Sequence, residues 1–199
     1  MPRLDREDLR SDATEQFAAW WDEAENVPLR EAMTLATSDG EGRPDARMVL
    51  LKGFDEAGFR FFTNYESVKG RQLDTIAHGA LVIYWRELDR QVRIRGPVER
   101  LSDEESDAYF ASRPRDSQLG AWASPQSRPL VDRADLDRRR DEAVERFGDE
   151  GEVARPEHWG GYVVRHETVE FWQGQVGRLH DRFLYRRGEG DWRIERLGP

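Results

Sequence analysis

Strand-length apolar stretches dominate this chain, and they do not alternate regularly with helices. About seven or eight such stretches stand beside three or four helical ones. The clearest strand is predicted over residues 91–100, where Val92 and Ile94 alternate with polar side chains. Because regular strand–helix–strand units are missing, a doubly wound parallel sheet is disfavoured. We predict a mainly β fold, an antiparallel barrel with peripheral helices.

The predicted helices are marked by apolar periodicity and by capping signals. Ser102 and Glu105 have the spacing of a capping box, and Pro114 ends the helix that begins there. On these signals helices are predicted over residues 14–25, 67–77, 102–112 and 132–147, with an irregular loop over residues 113–131.

The length of 199 residues predicts a single domain with a substantial core. Residues 1–12 are polar and are expected to be flexible. Residues 148–157 are expected to form a linker before the C-terminal strands.

Composition excludes several classes of function. The net charge of −9 argues against a nucleic-acid partner, although local arginine clusters can still form a positive pocket. There is no cysteine, and the four histidines lack paired metal-ligand spacing, so no metal site is expected. No apolar run approaches the roughly 18 residues of a membrane span, and the charged N-terminus does not resemble a secretory signal. These features predict a cytoplasmic protein without a membrane partner.

Lysine is rare: of 31 basic residues only Lys52 and Lys69 are lysine. Lys52 ends a predicted strand, and Lys69 stands at a strand-to-helix turn. A compact ammonium group can hold a phosphate as a point charge, so both are candidate phosphate ligands. Chance placement is the alternative.

A second cluster comprises Tyr109, Arg113 and Ser117. Tyr109 and Arg113 are four residues apart near a helix end, so their side chains can share a face. The turn at Pro114 could return the Ser117 hydroxyl to the same spot. A phenol, a guanidinium and a hydroxyl group would together clamp a phosphate. The alternative is a surface loop.

A third cluster follows Trp172. Arg178 and His180 have the same parity, so in an extended stretch they face one side together. A solvated loop histidine is the alternative reading of His180, and a core position that of Trp172.

The run from Arg47 to Lys52 carries a cation at each end. Five strand residues separate these charges by roughly 16 Å, and their parity differs. They could therefore serve two different phosphorylated ligands, the alternative being a strand cap and a solvated lysine. Phosphate-binding glycine loops and a GxSxG nucleophile elbow are absent from the sequence.

Taken in order, the runs 47–52, 112–122 and 171–183 resemble the pyridoxamine 5′-phosphate oxidase family of FMN-dependent enzymes. The most specific piece is Arg178-Leu179-His180-Asp181-Arg182, and the likeness extends from about Phe17 to the C-terminus. The resemblance implies a split antiparallel β-barrel that works as a homodimer with FMN at the subunit interface.

Residue roles are implied by the same resemblance. Arg47 and Lys69 match residues that hold the FMN phosphate, and Arg178 and His180 match the catalytic pair beside the substrate ring. The remaining cofactor positions are Met48, Val49, Leu50, Leu51, Lys52, Phe62, Thr63, Gln91, Gln126, Ser127, Trp172 and Arg182. The substrate positions are Lys52, Tyr109, Arg113, Ser117, Arg178, Leu179 and His180.

The implied activity is oxidation of pyridoxamine or pyridoxine 5′-phosphate to pyridoxal 5′-phosphate, with O2 as acceptor and release of hydrogen peroxide. The alternatives are a split-barrel FMN oxidase of a bulkier aromatic substrate, of the phenazine-biosynthesis type, and a non-catalytic flavin or pyridoxal-phosphate binding protein. One departure stands out: Val68 replaces an arginine common in the family, and Arg71 is a candidate to replace its charge.

Overall fold

The computed structural model describes residues 3–148 and 150–199. These residues form ten strands, five α-helices and three single-turn 3₁₀ helices. The longest helix has 15 residues, and no helix among the described residues is long and apolar enough to cross a membrane. The strands are β1 (Ala32–Ser38), β2 (Pro44–Leu50), β3 (Gly53–Asp55), β4 (Gly58–Asn64), β5 (His78–Trp85), β6 (Arg90–Arg100), β7 (Trp159–Val164), β8 (Thr168–Gln173), β9 (Asp181–Arg187) and β10 (Trp192–Arg196). The helices are α1 (Ala13–Glu23), α2 (Val68–Thr75), α3 (Asp103–Ser112), α4 (Arg115–Ala123) and α5 (Arg133–Phe147).

All strand pairs are antiparallel, in the order β10-β9-β8-β6-β5-β1-β2. Strand β6 also pairs with β7, which pairs with β4, and β4 pairs with β3. Residues 90–95 of β6 face β8, and residues 98–100 face β7. This one strand therefore turns the sheet into a second layer and curls it into a partly open barrel. The prediction of an antiparallel barrel with peripheral helices is confirmed.

The core lies inside this curled sheet and is rich in aromatic rings. Phe17 of α1 meets Phe54 and Phe59 edge-on at centroid distances of 4.7 and 4.8 Å. Edge-to-face pairs of this kind are a preferred aromatic geometry. Helix α1 begins at Asp12, whose side chain accepts hydrogen bonds from the backbone of Thr14 and Glu15. The predicted helix over residues 14–25 is thus present and anchored by its apolar face.

One element contradicts the sequence prediction. Residues 113–131 were expected to be irregular, and helix α4 occupies Arg115–Ala123 within them. Pro114, which ends α3, also stands where its fixed φ suits the start of a new helix. Leu119 of α4 packs in a second apolar cluster with Phe110, and Ala123 of the same helix is also buried. Tertiary burial stabilises a helix whose short, mixed sequence gives little periodic signal.

The N-terminal segment was predicted to be flexible. Over the described residues 3–12 it lies against the C-terminal strands. Leu4 and Leu9 are buried, and the Tyr185 hydroxyl donates to the carbonyl of Arg10 at 2.8 Å. Residues 1 and 2 lie outside the described part of the chain. The predicted linker 148–157 contains no helix or strand in its described residues, and Val153 in it is buried.

Candidate active site

A cleft of about 450 Å³ opens between β2, β4 and the helices α2 to α4. Both lysines of the chain line it, and we call it the lysine cleft. Among the described residues no carboxylate lines this cleft, so its fixed charge is positive. Its lining residues are Met48, Val49, Leu50, Lys52, Phe62, Thr63, Lys69, Tyr109, Arg113, Pro114, Ser117, Gln126 and Trp159.

Three nearly parallel aromatic rings form an apolar wall of the cleft. Phe62 stacks on Tyr109 with centroids 3.8 Å apart, and Trp159 lies parallel to both. The Arg113 guanidinium sits 4.6 Å from the centroid of the Trp159 ring. Sequence reasoning missed Trp159 and Pro114 as lining residues. The only local signal was the Trp159-Gly160-Gly161 run after the linker, where two small residues allow close packing.

The predicted cluster of Tyr109, Arg113 and Ser117 does assemble in this cleft. Tyr109 lies in the last turn of α3, Arg113 caps that helix, and Ser117 comes from α4. Nη1 of Arg113 is buried and has no hydrogen-bond partner among the residues that the structure describes. Burial lowers the pKa of this guanidinium and raises that of the Tyr109 phenol. A buried, charged donor without a partner is a costly arrangement that an anionic ligand would relieve.

Lys69 enters the cleft from the start of α2. Its Nζ donates to Oε1 of Gln126 at 2.8 Å and to Oγ1 of Thr63 at 3.2 Å. Burial, followed by the nearby charge of Arg47, lowers the pKa of Lys69 to about 8. The N-cap of α2 is Ser67, whose side chain accepts from the backbone N–H of Gly70. A lysine beside a helix N-terminus, held only by neutral oxygens, is suited to an anion.

Other predicted cofactor positions lie outside the cleft lining. Arg47 turns toward β1 and α2, donating to Thr37 and Asp45 at 2.5 Å and to Gln72 at 3.0 Å. It acts on the cleft through its charge near Lys69 rather than through a lining contact. Leu51 is buried in the core. Ser127 follows Gln126 with a φ of 67° and is not a lining residue.

Arg71, the candidate to replace the charge missing at Val68, is not among the residues that line this cleft. It lines a separate cleft with Arg100 and Arg128, and its guanidinium donates to the carbonyl of Glu66. Of the cations near the start of α2, Lys69 lines the first cleft and Arg47 acts on it through its charge, whereas Arg71 and Arg128 line the second.

A second group of predicted residues lies across β6, β8 and β9. Gln91, Trp172 and Arg182 are direct cross-strand neighbours and form one row on the sheet. The His180 ring lies over Trp172 with centroids 4.6 Å apart. Arg178 and Leu179 occupy the turn before β9, where Leu179 is 72% exposed.

The carboxylate of Glu170 orients the guanidinium of Arg182. Nε of Arg182 donates to Glu170 at 2.9 Å, and Arg93 donates to the other oxygen of the same carboxylate at 3.1 Å. Only 8% of the Glu170 side chain is exposed. The row therefore presents an aromatic ring and a fixed guanidinium on the outer face of the sheet.

Among the described residues of one chain, the two groups do not line the same cleft. From β2 to β8 the sheet passes through β1, β5 and β6, four strand spacings or about 19 Å along its curve. The lining of the lysine cleft contains none of the second group, Gln91, Trp172, Arg178, Leu179, His180 and Arg182.

Fold and cleft together define a split-barrel protein with a cationic cleft that is walled by stacked aromatic rings. The sequence matches the model of pyridoxamine 5′-phosphate oxidase over residues 14–143, and that of the pyridoxine 5′-phosphate oxidase C-terminal dimerisation region over residues 159–199. The chain belongs to the pyridoxamine 5′-phosphate oxidase family, and the resemblance drawn from its sequence is confirmed.

Curated relatives match nearly the whole chain. The pyridoxine/pyridoxamine 5′-phosphate oxidase of Salinibacter ruber is 58% identical over 200 residues, covering 98% of this chain and 93% of the relative. The pyridoxine/pyridoxamine 5′-phosphate oxidase of Pseudomonas paraeruginosa is 52% identical, covering 95% of this chain and 89% of the relative.

Solved structures agree on the fold. PhzG from Burkholderia lata, in complex with tetrahydrophenazine-1-carboxylic acid, has a TM-score of 0.91 at 30% identity over 98% of both chains. An FMN-binding protein related to pyridoxamine 5′-phosphate oxidase, from Nostoc punctiforme, has a TM-score of 0.76 at 16% identity, covering 96% of this chain and 100% of its own. The split-barrel prediction is confirmed.

Proposed function

We propose that this protein oxidises pyridoxamine or pyridoxine 5′-phosphate to pyridoxal 5′-phosphate, with FMN as cofactor and O2 as acceptor, releasing hydrogen peroxide. The relatives that carry this activity in their names are 51–58% identical over nearly the whole chain.

The observation that supports this proposal most directly is the carboxylate-free cleft. Lys52, Lys69 and Arg113 meet there beside the wall of stacked rings, and Arg113 carries the unpartnered buried nitrogen. Cations without counterions favour phosphate, and aromatic faces favour flat rings. A pyridine ring and an isoalloxazine ring that each carry a phosphate combine these two properties.

The residues present fit FMN. Lys69, Thr63 and Gln126 would hold its phosphate at the start of α2, with the charge of Arg47 behind them. Bound FMN supplies two-electron oxidation chemistry with O2 as the final acceptor. The protein supplies orientation and charge: Lys52, Tyr109, Arg113 and Ser117 would bind the substrate phosphate.

The second group would reach the cleft from another copy of the chain. The matched dimerisation region, residues 159–199, contains Trp172, Arg178, His180 and Arg182. A homodimer brings the same patches together twice through its two-fold axis. Large apolar side chains are exposed around both groups: Met48 at 62%, Leu50 at 41%, Tyr84 at 54% and Val176 at 87%. Such exposure is typical of a surface that a partner covers.

In this arrangement Arg178 and His180 of the second copy would place the substrate ring. Holding two reactants in the productive orientation can lower a barrier by about 7–11 kcal/mol, so placement alone is a large contribution. Neither residue needs to act as an obligatory base in this scheme.

The test mixes purified protein with FMN and pyridoxine 5′-phosphate and follows aldehyde and hydrogen peroxide together. We expect both products in equal amounts. Turnover of a bulkier carboxylated aromatic substrate, without turnover of the phosphorylated one, would favour a PhzG-like oxidase. Flavin uptake without any product would favour a binding protein.

Lys52→Ala separates the two phosphate sites. We expect it to raise KM for the phosphorylated substrate while FMN affinity stays within a few fold. Loss of FMN affinity instead would show that Lys52 binds the FMN phosphate and that its assignment to the substrate phosphate is wrong.

A further inference from the structure

The loop between β8 and β9 folds back on itself before it delivers His180. Gly177 has a φ of 73° and Arg178 a φ of 64°, so two consecutive residues adopt the left-handed conformation. Glycine takes this conformation without strain, which explains Gly177. The reversal returns the chain so that the backbone N–H of Gln175 donates to Nδ1 of His180 at 3.1 Å.

This hydrogen bond has a chemical consequence. Since Nδ1 of His180 accepts a proton donor, a neutral imidazole must carry its own proton on Nε2. The ring would then offer an N–H donor, and not a lone pair, at its free edge. The identity of that nitrogen depends on where the Gln175 backbone sits.

Asp181 fixes that position. Its carboxylate is 12% exposed and accepts three hydrogen bonds: from Nε2 of Gln175 at 3.0 Å, from the backbone N–H of Leu4 at 3.1 Å, and from Nη1 of Arg196 at 2.8 Å. Burial raises the pKa of Asp181, but the hydrogen bonds from Leu4, Arg196 and Gln175 outweigh it, so the net pKa is lowered. The carboxylate is therefore ionised and clamps Gln175 to both ends of the chain.

Arg196 completes this clamp. Its second nitrogen, Nη2, donates to the carbonyl of Leu4 at 3.1 Å and to Asp5 at 2.6 Å, and its guanidinium lies 4.5 Å from the ring centroid of Phe183. The N-terminal segment thus supports the loop through Asp181 rather than through His180 itself.

We propose that Asp181 is a positioning residue that acts through Gln175 to hold His180 in its Nε2-protonated form. The role in turnover rests on the proposed oxidase function, whereas the tautomer is a property of the protein alone. A residue of this kind changes how well a ring is presented without touching substrate or flavin.

The first test measures the tautomer directly. Protein labelled with ¹⁵N at its four histidines is studied by ¹H–¹⁵N NMR at a pH of about 8.5, where free histidine is neutral. His180 is assigned by its loss in His180→Asn. We expect the Nε2-protonated pattern in wild type, and an Nδ1-protonated His180 there would overturn the proposal whatever the enzyme's activity.

The second test uses matched variants. Asp181→Asn and Gln175→Ala should each convert His180 to a mixture of tautomers and lower kcat roughly tenfold, with FMN affinity retained. The double variant should be no worse than either single one, because both act on one element. Asp5→Asn is the control: it removes an ion pair of Arg196 but none of the donors to Asp181, and should behave as wild type.

The two hypotheses fail differently. If wild type shows no turnover but His180 has the expected tautomer and loses it in Asp181→Asn, the oxidase proposal fails and the positioning role stands. If both variants keep a pure Nε2-protonated His180, or lose activity only by losing FMN or unfolding, the positioning role is refuted.

Discussion

At the scale of single residues, burial decides which charges can do chemistry. The chain has 31 basic side chains, and exposed arginines such as Arg43 and Arg133 form surface ion pairs that contribute little to stability. Lys69 and Arg113 differ because they are partly buried and face no carboxylate in the described lining of the cleft. Their charges remain available for a ligand.

Lys69 should make FMN binding depend on pH. Its pKa of about 8 in the free protein means that it loses its proton as the pH rises through 8. Phosphate binding favours the charged form, so we expect FMN affinity to weaken above about pH 8. Lys69→Met should weaken binding by about 2 kcal/mol, the typical contribution of a hydrogen bond to a charged group, and remove this pH dependence. Flavin fluorescence quenching measures both.

The control is Arg71→Met, which removes a cation of the same helix that lines another cleft. FMN affinity should remain at the wild-type value. Equal losses in the two variants would show that Arg71 serves the phosphate after all, in place of the arginine missing at Val68.

His166 should make the apoprotein sensitive to acid. The ring is 2% exposed, and its Nε2 meets Thr14 at 3.1 Å and Arg187 at 2.9 Å. Burial, and then Arg187, lower its pKa to about 4, against opposing effects of Asp12 and Asp55. The unfolded chain binds the proton first, so stability is complete above pH 6.5 and falls as the pH drops toward 4.

Thermal melts from pH 7 to pH 4 test this expectation. His166→Gln should flatten the pH dependence of the melting temperature, even if the variant is less stable throughout. His78→Gln, which removes an exposed histidine, should leave the wild-type slope. A His166→Gln slope equal to that of wild type would contradict the assignment.

At the scale of elements, β6 is the strand on which the architecture depends. It pairs with β5 along most of its length and exchanges its other partner from β8 to β7 near Gly96. The carbonyl of Arg165 approaches so closely there that a Cβ on Gly96 would lie 1.8 Å from it. The change of partner therefore requires the absence of a side chain.

Gly96→Ala should destabilise the protein by about 2–3 kcal/mol or more, since backbone must move to admit the methyl group. A Cβ on Gly120 in α4 would have no neighbour within 4 Å among the described residues, so Gly120→Ala should stabilise the protein by about 0.5–1 kcal/mol. Paired chemical-denaturation curves give both values. A neutral Gly96→Ala would show that β6 has room to relax.

At the scale of the whole molecule, the proposed site needs two chains. The lysine cleft and the row on β6, β8 and β9 lie on separate parts of one protomer, and the matched dimerisation region contains most of the second group. In this proposal, each half alone would be a partial binding surface. Assembly would therefore create the complete site.

Mixed dimers test this directly. Heterodimers of Arg113→Ala with Arg178→Ala, isolated through two affinity tags, should regain about half of wild-type activity, because one of two sites receives both arginines. Heterodimers of wild type with the double variant should be inactive, since every site then lacks one arginine. A site built within one chain predicts the reverse for both mixtures.

Sequence alone determined the fold class and predicted much of the candidate site. Strand alternation in 91–100 and the capping box at Ser102 are local signals, and local signals survive without tertiary context. The spacing of Tyr109 and Arg113 likewise placed both on one helix end. The family resemblance, confirmed by the comparisons, supplied the identities of the remaining candidate residues.

Tertiary structure decided what no local pattern encodes. Helix α4 is stabilised by burial of Leu119 against residues distant in sequence. The N-terminal segment is held in part by the hydrogen bond from Leu4 to Asp181, 177 positions away. The direction in which Arg47 turns and the entry of Trp159 into the cleft also depend on packing. Sequence periodicity indicates which face of a helix or strand is apolar. A binding site depends on which faces pack together, and this is decided only by the tertiary fold.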